Sequence, residues 1–279
     1  MNILIIGGTR FIGQEIVKSL SDLNVGLTVF SRSIKINNGF NYIKGNRENI
    51  KDIKNIKGTF DVIIDFISYK GVHTKEIIRI FPNVRYILIS TAWKMPDDID
   101  IFKNEINYIS NKRDAEKIVF KSRKNNHRNM VIRLPIVLGI GDHTKRTNFF
   151  RKDKKIVYLM VPDIIINFCW KNDIVDFVIN EIFSKKKNNK SIVYPATQYS
   201  VKLSEYIKIQ MKVEEIEYQI KKISYRKSLT SEVFKDYLNN IGQNLYYPIK
   251  MFGKTKMKVN SLKKLEENFL LLKNNEPLK

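Results

Sequence analysis

Asn2-Ile3-Leu4-Ile5-Ile6-Gly7-Gly8-Thr9-Arg10-Phe11-Ile12-Gly13 decides the fold. Ile3 to Ile6 is apolar without alternation, as in a strand covered on both faces. Glycines follow at once, and Phe11 to Leu20 has the amphipathic spacing of a helix. Strand, glycine turn and helix in that order make a phosphate-binding unit. Gly7 permits the tight turn, and Gly13 lets the helix pack close to the strand. The amides opening the helix can then hold a pyrophosphate, with Thr9, Arg10, Phe11 and Ile12 placed against it.

Working outward, Gly26 to Phe30, Phe40 to Ile43, Asp61 to Ile67, Val84 to Ser90 and Met130 to Leu134 read as further strands. Helical patterns fall between them at Glu48 to Ile56, Thr74 to Ile80 and Asn104 to Phe120. This alternation predicts an α/β protein with a doubly wound parallel sheet, whose ligands bind beyond the carboxyl ends of the strands. After Leu134 the alternation loosens. Ile164 to Phe183, Leu203 to Lys212 and Leu229 to Ile241 read as mainly helical, with a strand near Ser191 to Tyr194. The expected division is residues 1–135 as a dinucleotide-binding domain. Residues 136–279 form a smaller, mainly helical substrate-binding portion, interleaved with the end of the sheet.

Bulk properties narrow the class. With 43% hydrophobic residues the 279-residue chain can bury a sizeable core. The single cysteine, Cys169, rules out an internal disulfide framework and a cysteine-rich metal site; it reads as a small buried residue. His73 and His127 lie in polar stretches without ligand spacing, so no metal is expected. No apolar run is long enough to span a bilayer, and the apolar start is broken by glycines and Arg10. The expectation is a cytoplasmic protein without a membrane partner. The net charge of +22 is spread over runs such as Lys121 to Arg128 and Lys185 to Lys190, mixed with Asn. Such runs read as solvated faces rather than a dedicated nucleic-acid surface.

Two sets of residues carry chemistry. NAD-selective folds place an acidic side chain at the end of the second strand, to bind the adenosine ribose hydroxyls. Here that position reads Phe30-Ser31-Arg32-Ser33. Arg32 offers a planar fork for a 2′-phosphate, Ser31 a hydroxyl and Arg10 a second cation, so NADP(H) is expected ahead of NAD(H). Proton transfer near neutral pH by a tyrosine needs its phenolate stabilised. Tyr108-Ile109-Ser110-Asn111-Lys112 puts a lysine one helical turn away on the same face. Tyr218 with Lys222 and Tyr246 with Lys250 share the spacing, but only Tyr108 follows the fifth strand. Ser90 and Thr91 end that strand and supply hydroxyls for a substrate oxygen, with Trp93 just beyond. His143 and Arg146, after the sixth strand, are candidates for substrate contact.

The turn Gly7-Gly8-Thr9-Arg10-Phe11-Ile12-Gly13 resembles the extended and atypical short-chain dehydrogenase/reductases, a superfamily that includes sugar-nucleotide epimerases and dehydratases. Arg10 stands where that pattern usually has its second glycine, as in a GGTRF-type branch. The resemblance continues through Gly45-Asn46-Arg47, Phe60 to Asp65, Val131 to Gly139 and Trp170 to Val175, roughly the first two-thirds of the chain. It implies a Rossmann fold, with Asn46, Arg47 and Pro135 also at the cofactor. It makes Thr91 the catalytic hydroxyl, and gives Lys112 a second role on the nicotinamide ribose. Dehydratases of the family carry Asp-Glu after the catalytic Thr, where this chain has Ala92-Trp93. The implied function is an NADPH-dependent ketoreductase acting on a nucleotide sugar, such as a dTDP-4-keto-6-deoxyhexose, in a homodimer. The alternatives are an epimerase with tightly bound NAD(P) and, since the branch includes chloroplast stem-loop RNA-binding proteins, a non-catalytic RNA binder.

Overall fold

In the computed structural model the described residues are 1–33, 39–92, 103–124, 126, 128–142, 156–161, 163, 165–184, 192–193, 197–215, 217, 219–224, 258–259 and 262–275. The chain divides into two units, one of residues 1–134 and 173–195, the other of residues 135–172 and 196–279.

The first unit is built on a seven-stranded parallel sheet. Its strands are β1 (Asn2–Ile6), β2 (Gly26–Ser31), β3 (Asn41–Lys44), β4 (Val62–Asp65), β5 (Arg85–Thr91), β6 (Met130–Leu134) and β10 (Ile192–Val193). They lie in the order β3-β2-β1-β4-β5-β6-β10. β1 pairs with β2 on one side (Ile6 opposite Phe30) and with β4 on the other (Ile6 opposite Asp65). The chain therefore reverses its direction of travel across the sheet at β1, which opens a crevice at the carboxyl ends of β1 and β4.

Helices cover both faces. Alternate residues of a strand point to opposite sides. Leu4 and Ile6 join Ile63, Leu88 and Val131 in a core sealed by Ile53 of α2 (Ile50–Lys54), Ile77 of α3 (Gly71–Ile80), and Ala115 and Val119 of α4 (Lys103–Ser122). Ile5 turns the other way, toward Val17 of α1 (Phe11–Ser21): a β-carbon added at Gly8 would lie 2.7 Å from both. α1 buries Gly13, Ile16, Val17 and Leu20, the one-sided spacing of an amphipathic helix. At the amino end of β5, buried Arg85 donates to the carbonyls of Glu181 (2.9 Å) and Ile182 (3.2 Å). It thereby satisfies last-turn carbonyls of α5 (Lys171–Phe183) that have no partner within a helix.

The second unit carries β7 (Ile136–Leu138), β9 (Ile165–Trp170), β11 (Thr197–Lys202) and β13 (Lys258–Val259) in one sheet, ordered β13-β11-β9-β7. β8 (Ile156–Val161) and β12 (Gln219–Ser224) pair in parallel in a second sheet. Its helices include α6 (Leu203–Glu214) and α7 (Leu262–Asn275). Phe168 stacks on Tyr199 at 5.0 Å between ring centres, while Tyr206 meets Phe168 and Phe269 edge-on at 5.5 and 5.2 Å. Such pairs add about 0.5–1.5 kcal/mol each beyond their area.

Two expectations change here. The helix expected over Ile164 to Phe183 is instead a strand, β9, hydrogen-bonded to β7 and β11, and the helix begins only at Lys171. With it goes the mainly helical character of the later portion, where described strands stand beside the helices. The helix expected over Leu229 to Ile241 lies outside the described residues. Cys169 is buried in β9. No helix among the described residues is long and apolar enough to cross a membrane.

The approach of α1 to the first turn predicts the effect of Gly13→Ala. The new β-carbon would sit 2.9 Å from Gly8 Cα and 3.2 Å from the Gly7 carbonyl oxygen, both backbone atoms. Alanine's helix propensity is worth about 1 kcal/mol, and overpacking costs about 1–3 kcal/mol. With the contacts on backbone atoms, a net loss of up to about 2 kcal/mol is expected, read as a lower urea midpoint at unchanged slope. A midpoint equal to the wild type would show that the turn has room to give.

Candidate active site

The site is assembled at the carboxyl ends of the strands in the first unit. Gly7 closes the turn after β1 with φ +88°, a conformation that favours glycine, and donates its N–H to the Phe30 carbonyl at 3.0 Å. Arg10 is the N-cap of α1 but provides no side-chain cap, and the first turn holds no acidic residue. The helix dipole there favours an anion. Arg10 is exposed. Phe11, the first helical residue, has φ +44°, an uncommon conformation for a residue with a side chain. Thr9 and Ile12 are half-buried, and Gly13 is buried against the turn. These residues fit a pyrophosphate.

The next positions divide. Arg32, after β2, is exposed. Ser31 is buried, and its hydroxyl is taken up by the Ser33 carbonyl at 2.9 Å and by the Tyr42 hydroxyl. Asn46 accepts the Glu48 N–H on its side-chain oxygen at 3.1 Å, shaping the loop after β3. Arg47 turns inward: it is 5% exposed, with Nη2 2.5 Å from Oδ2 of Asp65 at the end of β4. Its N–H groups are not aimed at the carboxylate, and its three guanidinium nitrogens make no hydrogen bond. This is an ionic contact inside the fold. Asp65 also accepts from the Tyr86 hydroxyl at 2.5 Å and from the Ile67 N–H at 3.1 Å. Burial, and then the Asp65 charge, hold the Tyr86 phenol well above its ordinary pKa.

α4 presents Ile109, Lys112, Ala115, Glu116 and Val119 to the interior, with half-buried Tyr108 at the end of this stripe nearest the helix start. Lys112 is 2% exposed, and its ammonium donates to the Ile89 carbonyl at 3.0 Å. It also lies 5.0 Å from the ring centre of Tyr69. That ring is 6.3 Å from the ring of Tyr108. Burial lowers the Lys112 pKa from 10.5 to about 8; Asp65 and Glu116 favour the charged form and Arg47 opposes it. At pH 7 roughly nine lysines in ten are still charged. Tyr69 is 47% exposed; burial of its packed side and Asp65 raise its phenol, while Arg32 and Arg10 pull it down. The ring thus feels the cations of the glycine turn and of β2 on one hand and the Tyr108–Lys112 pair on the other.

Thr91 ends β5, 6% exposed, and its carbonyl accepts from Arg113 at 3.1 Å. Ser90 donates to buried Glu116 at 2.6 Å, which commits its hydroxyl inside the fold. Pro135 follows β6 directly and is buried. Trp93, His143 and Arg146 lie outside the described residues. Among the described residues no cluster of His, Cys, Asp or Glu could hold a metal ion. Tyr69 and Glu116 were not singled out by the sequence. Glu116 could have been, standing four residues beyond Lys112 and eight beyond Tyr108 on one face of an apolar-periodic helix.

A seven-stranded parallel sheet that switches direction at β1, with a glycine turn opening α1, is the architecture of dinucleotide-binding α/β proteins. Solved structures of sugar-nucleotide enzymes share it. A UDP-glucose 4-epimerase from Thermotoga maritima, solved with UDP-glucose, matches at a TM-score of 0.70 and 15% identity, over 99% of this chain and 98% of that one. A UDP-glucuronic acid 4-epimerase from Bacillus cereus, in complex with UDP-glucuronic acid and NAD, matches at 0.64 and 14%, over 97% and 98%. An NAD-dependent NDP-hexosamine 5,6-dehydratase involved in tunicamycin biosynthesis matches at 0.62 and 12%, over 96% and 91%. At these identities the likeness is one of fold. No protein-family model matches the chain, and no curated protein does.

Lys112 makes stability depend on pH in a defined direction. Its folded pKa lies below the unfolded one, so the unfolded chain binds more protons between about pH 8 and 10.5. Stability from this group therefore rises across that window and is lost as pH falls through about 8. The full difference is worth about 3 kcal/mol at 1.36 kcal/mol per pH unit. Urea titrations of wild type and Lys112→Met from pH 7 to 10 should show the wild type gaining on the variant as pH rises. Parallel curves would mean that the buried amine keeps its ordinary pKa and stays charged in the fold across this range.

Proposed function

We propose that the first unit binds a nicotinamide dinucleotide and that the chain performs redox chemistry on a nucleotide-activated sugar, as an epimerase. The observation that carries this is the buried Lys112 ammonium, which feels Asp65 and Glu116 and stands one helical turn from Tyr108, in a unit whose first helix begins at a glycine turn with no acidic residue. The α1 amides and Arg10 would hold the pyrophosphate, and Arg32 the adenosine end. A nicotinamide bound there supplies a hydride acceptor and donor. Tyr108, as the phenolate, takes the proton from the sugar hydroxyl and later returns it, and Lys112 stabilises the phenolate that begins and ends the cycle. Thr91 hydrogen-bonds the same oxygen.

The reading as an epimerase, rather than a net reductase, is supported by the folds it shares: two of the three structures described above are 4-epimerases, and one of these carries NAD. NAD(H) is accordingly the first cofactor to test. Net reduction by exchangeable NADPH is the second reading, favoured by exposed Arg32 and the lack of an acidic residue where β2 ends. A non-catalytic RNA binder has no use for a buried lysine that destabilises the fold at neutral pH.

The test begins with purified protein, denatured to release any bound dinucleotide. The native protein is then incubated with UDP-glucose, and with UDP-glucuronic acid, and each is examined for conversion to its 4-epimer. The expected result is bound NAD, interconversion without added coenzyme, and a kcat lowered about 10²–10⁴-fold in Tyr108→Phe, the usual contribution of a general acid–base. Oxidation of added NADPH by keto-sugar nucleotides, with no epimer formed, would replace this reading by the second. Neither activity would end both.

A further inference from the structure

Glu116 is the most heavily engaged carboxylate near the proposed chemistry, and nothing in that chemistry yet uses it. It is 1% exposed. Its Oε1 accepts from Ser90 Oγ at 2.6 Å, Arg113 Nη1 at 2.5 Å and Arg133 Nε at 3.0 Å, and its Oε2 accepts from Arg133 Nη2 at 2.5 Å. The same Nη1 of Arg113 also donates to the Thr91 carbonyl at 3.1 Å. One carboxylate thus fastens α4 to the end of β5 through Ser90, to β6 through Arg133, and to the Thr91 backbone through Arg113. The residue it fixes to α4, Thr91, and the residue one turn away on α4, Lys112, are those whose relative position the reaction requires. Two arginines on one buried carboxylate exceed what is needed to staple a helix to a sheet, since a lone buried carboxylate needs one bidentate partner.

We propose that Glu116 is a positioning residue. It holds Thr91 and Lys112 at the site in fixed register, and its negative charge, balanced against Arg113 and Arg133, keeps the Lys112 ammonium charged. The catalytic part of this rests on the function proposed above; the electrostatic part does not. The groups facing Lys112 are Asp65 from β4, Arg47 from the loop after β3, the Tyr69 ring, the Ile89 carbonyl and Glu116 itself. Removing the Glu116 charge makes the α4 side more positive and takes away one of the two carboxylates, Asp65 and Glu116, that favour the ammonium. Removing Arg133 instead frees the carboxylate's field. The two changes must therefore move Lys112 in opposite directions.

The experiment follows the 13Cε resonance of Lys112 through a pH titration of the full chain, assigned by its loss in Lys112→Arg. Glu116→Gln should lower the Lys112 midpoint by about one unit, the scale of a close charge. Glu116→Asp should keep the wild-type midpoint, and Arg133→Gln should raise it. Should Glu116→Gln not fold, the Arg133→Gln titration decides alone, because a purely structural staple predicts no rise. A midpoint unmoved in Arg133→Gln, or lowered in both Glu116→Gln and Arg133→Gln, overturns the proposal. Under the epimerase reading, the acid and alkaline limbs of kcat shift with the midpoint. Midpoint shifts as expected in a protein without epimerase activity would sink that reading and leave the role of Glu116 on Lys112 standing.

Discussion

The closeness of α1 to the turn after β1 is the constraint on which the rest depends. Gly8 is packed against Ile5 and Val17, and Gly13 against Gly8, so tightly that a single β-carbon at any of these contacts would collide. With this approach, the first amides of α1 lie at the carboxyl edge of the sheet, next to the point where the strand order reverses. The glycines are thus spent on geometry, and the chemistry is left to side chains that the sheet delivers from elsewhere.

What it delivers is charge in an apolar setting. Parallel strands buried on both faces offer no solvent to a charged group near their ends, so each such group here comes with a partner. Arg47 is set against Asp65, which also takes the Tyr86 hydroxyl, and Glu116 against Arg113 and Arg133. Among the described residues, Lys112 makes its direct polar contact with a carbonyl and lies over an aromatic face. A cation over a ring contributes about 0.5–2 kcal/mol, less than the several kcal/mol that burying an unpaired ion costs. The deficit is what burial writes into the lowered pKa of Lys112. The carboxylates of Asp65 and Glu116 act against that lowering.

The sheet was legible because its strands are runs of Ile, Leu and Val in a chain otherwise rich in Lys and Asn, and the contrast marks both ends of each run. The same cue misled at Ile165 to Trp170. A short apolar run joined to a helix has no period of its own, and only pairing with β7 and β11, both remote in sequence, makes it a strand. β11, which reads Thr-Gln-Tyr-Ser-Val-Lys, is held by β9 and β13 rather than by its composition. In the site, residue type was legible and direction was not. Ser31, Arg47 and Ser90 were assigned to ligands because polar residues at strand ends usually face them. All three turn inward, to Tyr42, Asp65 and Glu116, because the buried partners that claim them lie 11 to 26 positions away. Tyr69 was passed over for the converse reason: an aromatic in a loop carries no sign that two cations and the Tyr108–Lys112 pair converge on it.

The inward turn of those residues sharpens the case for the ones that remain outward. Once Ser31 and Ser90 are committed to the fold, the polar groups left on the crevice from the first unit are few, and each does something that the fold does not need. Arg32 is exposed. Arg10 caps α1 without a side-chain hydrogen bond. Tyr69 keeps nearly half its surface in water although its ring is the floor under Lys112. A structural site hides its aromatics and neutralises its cations, because both gain by it. An exposed aromatic ring that feels two exposed arginines and lies under a buried lysine is what an anionic ligand with a flat face would use, and the dinucleotide proposed above has both features.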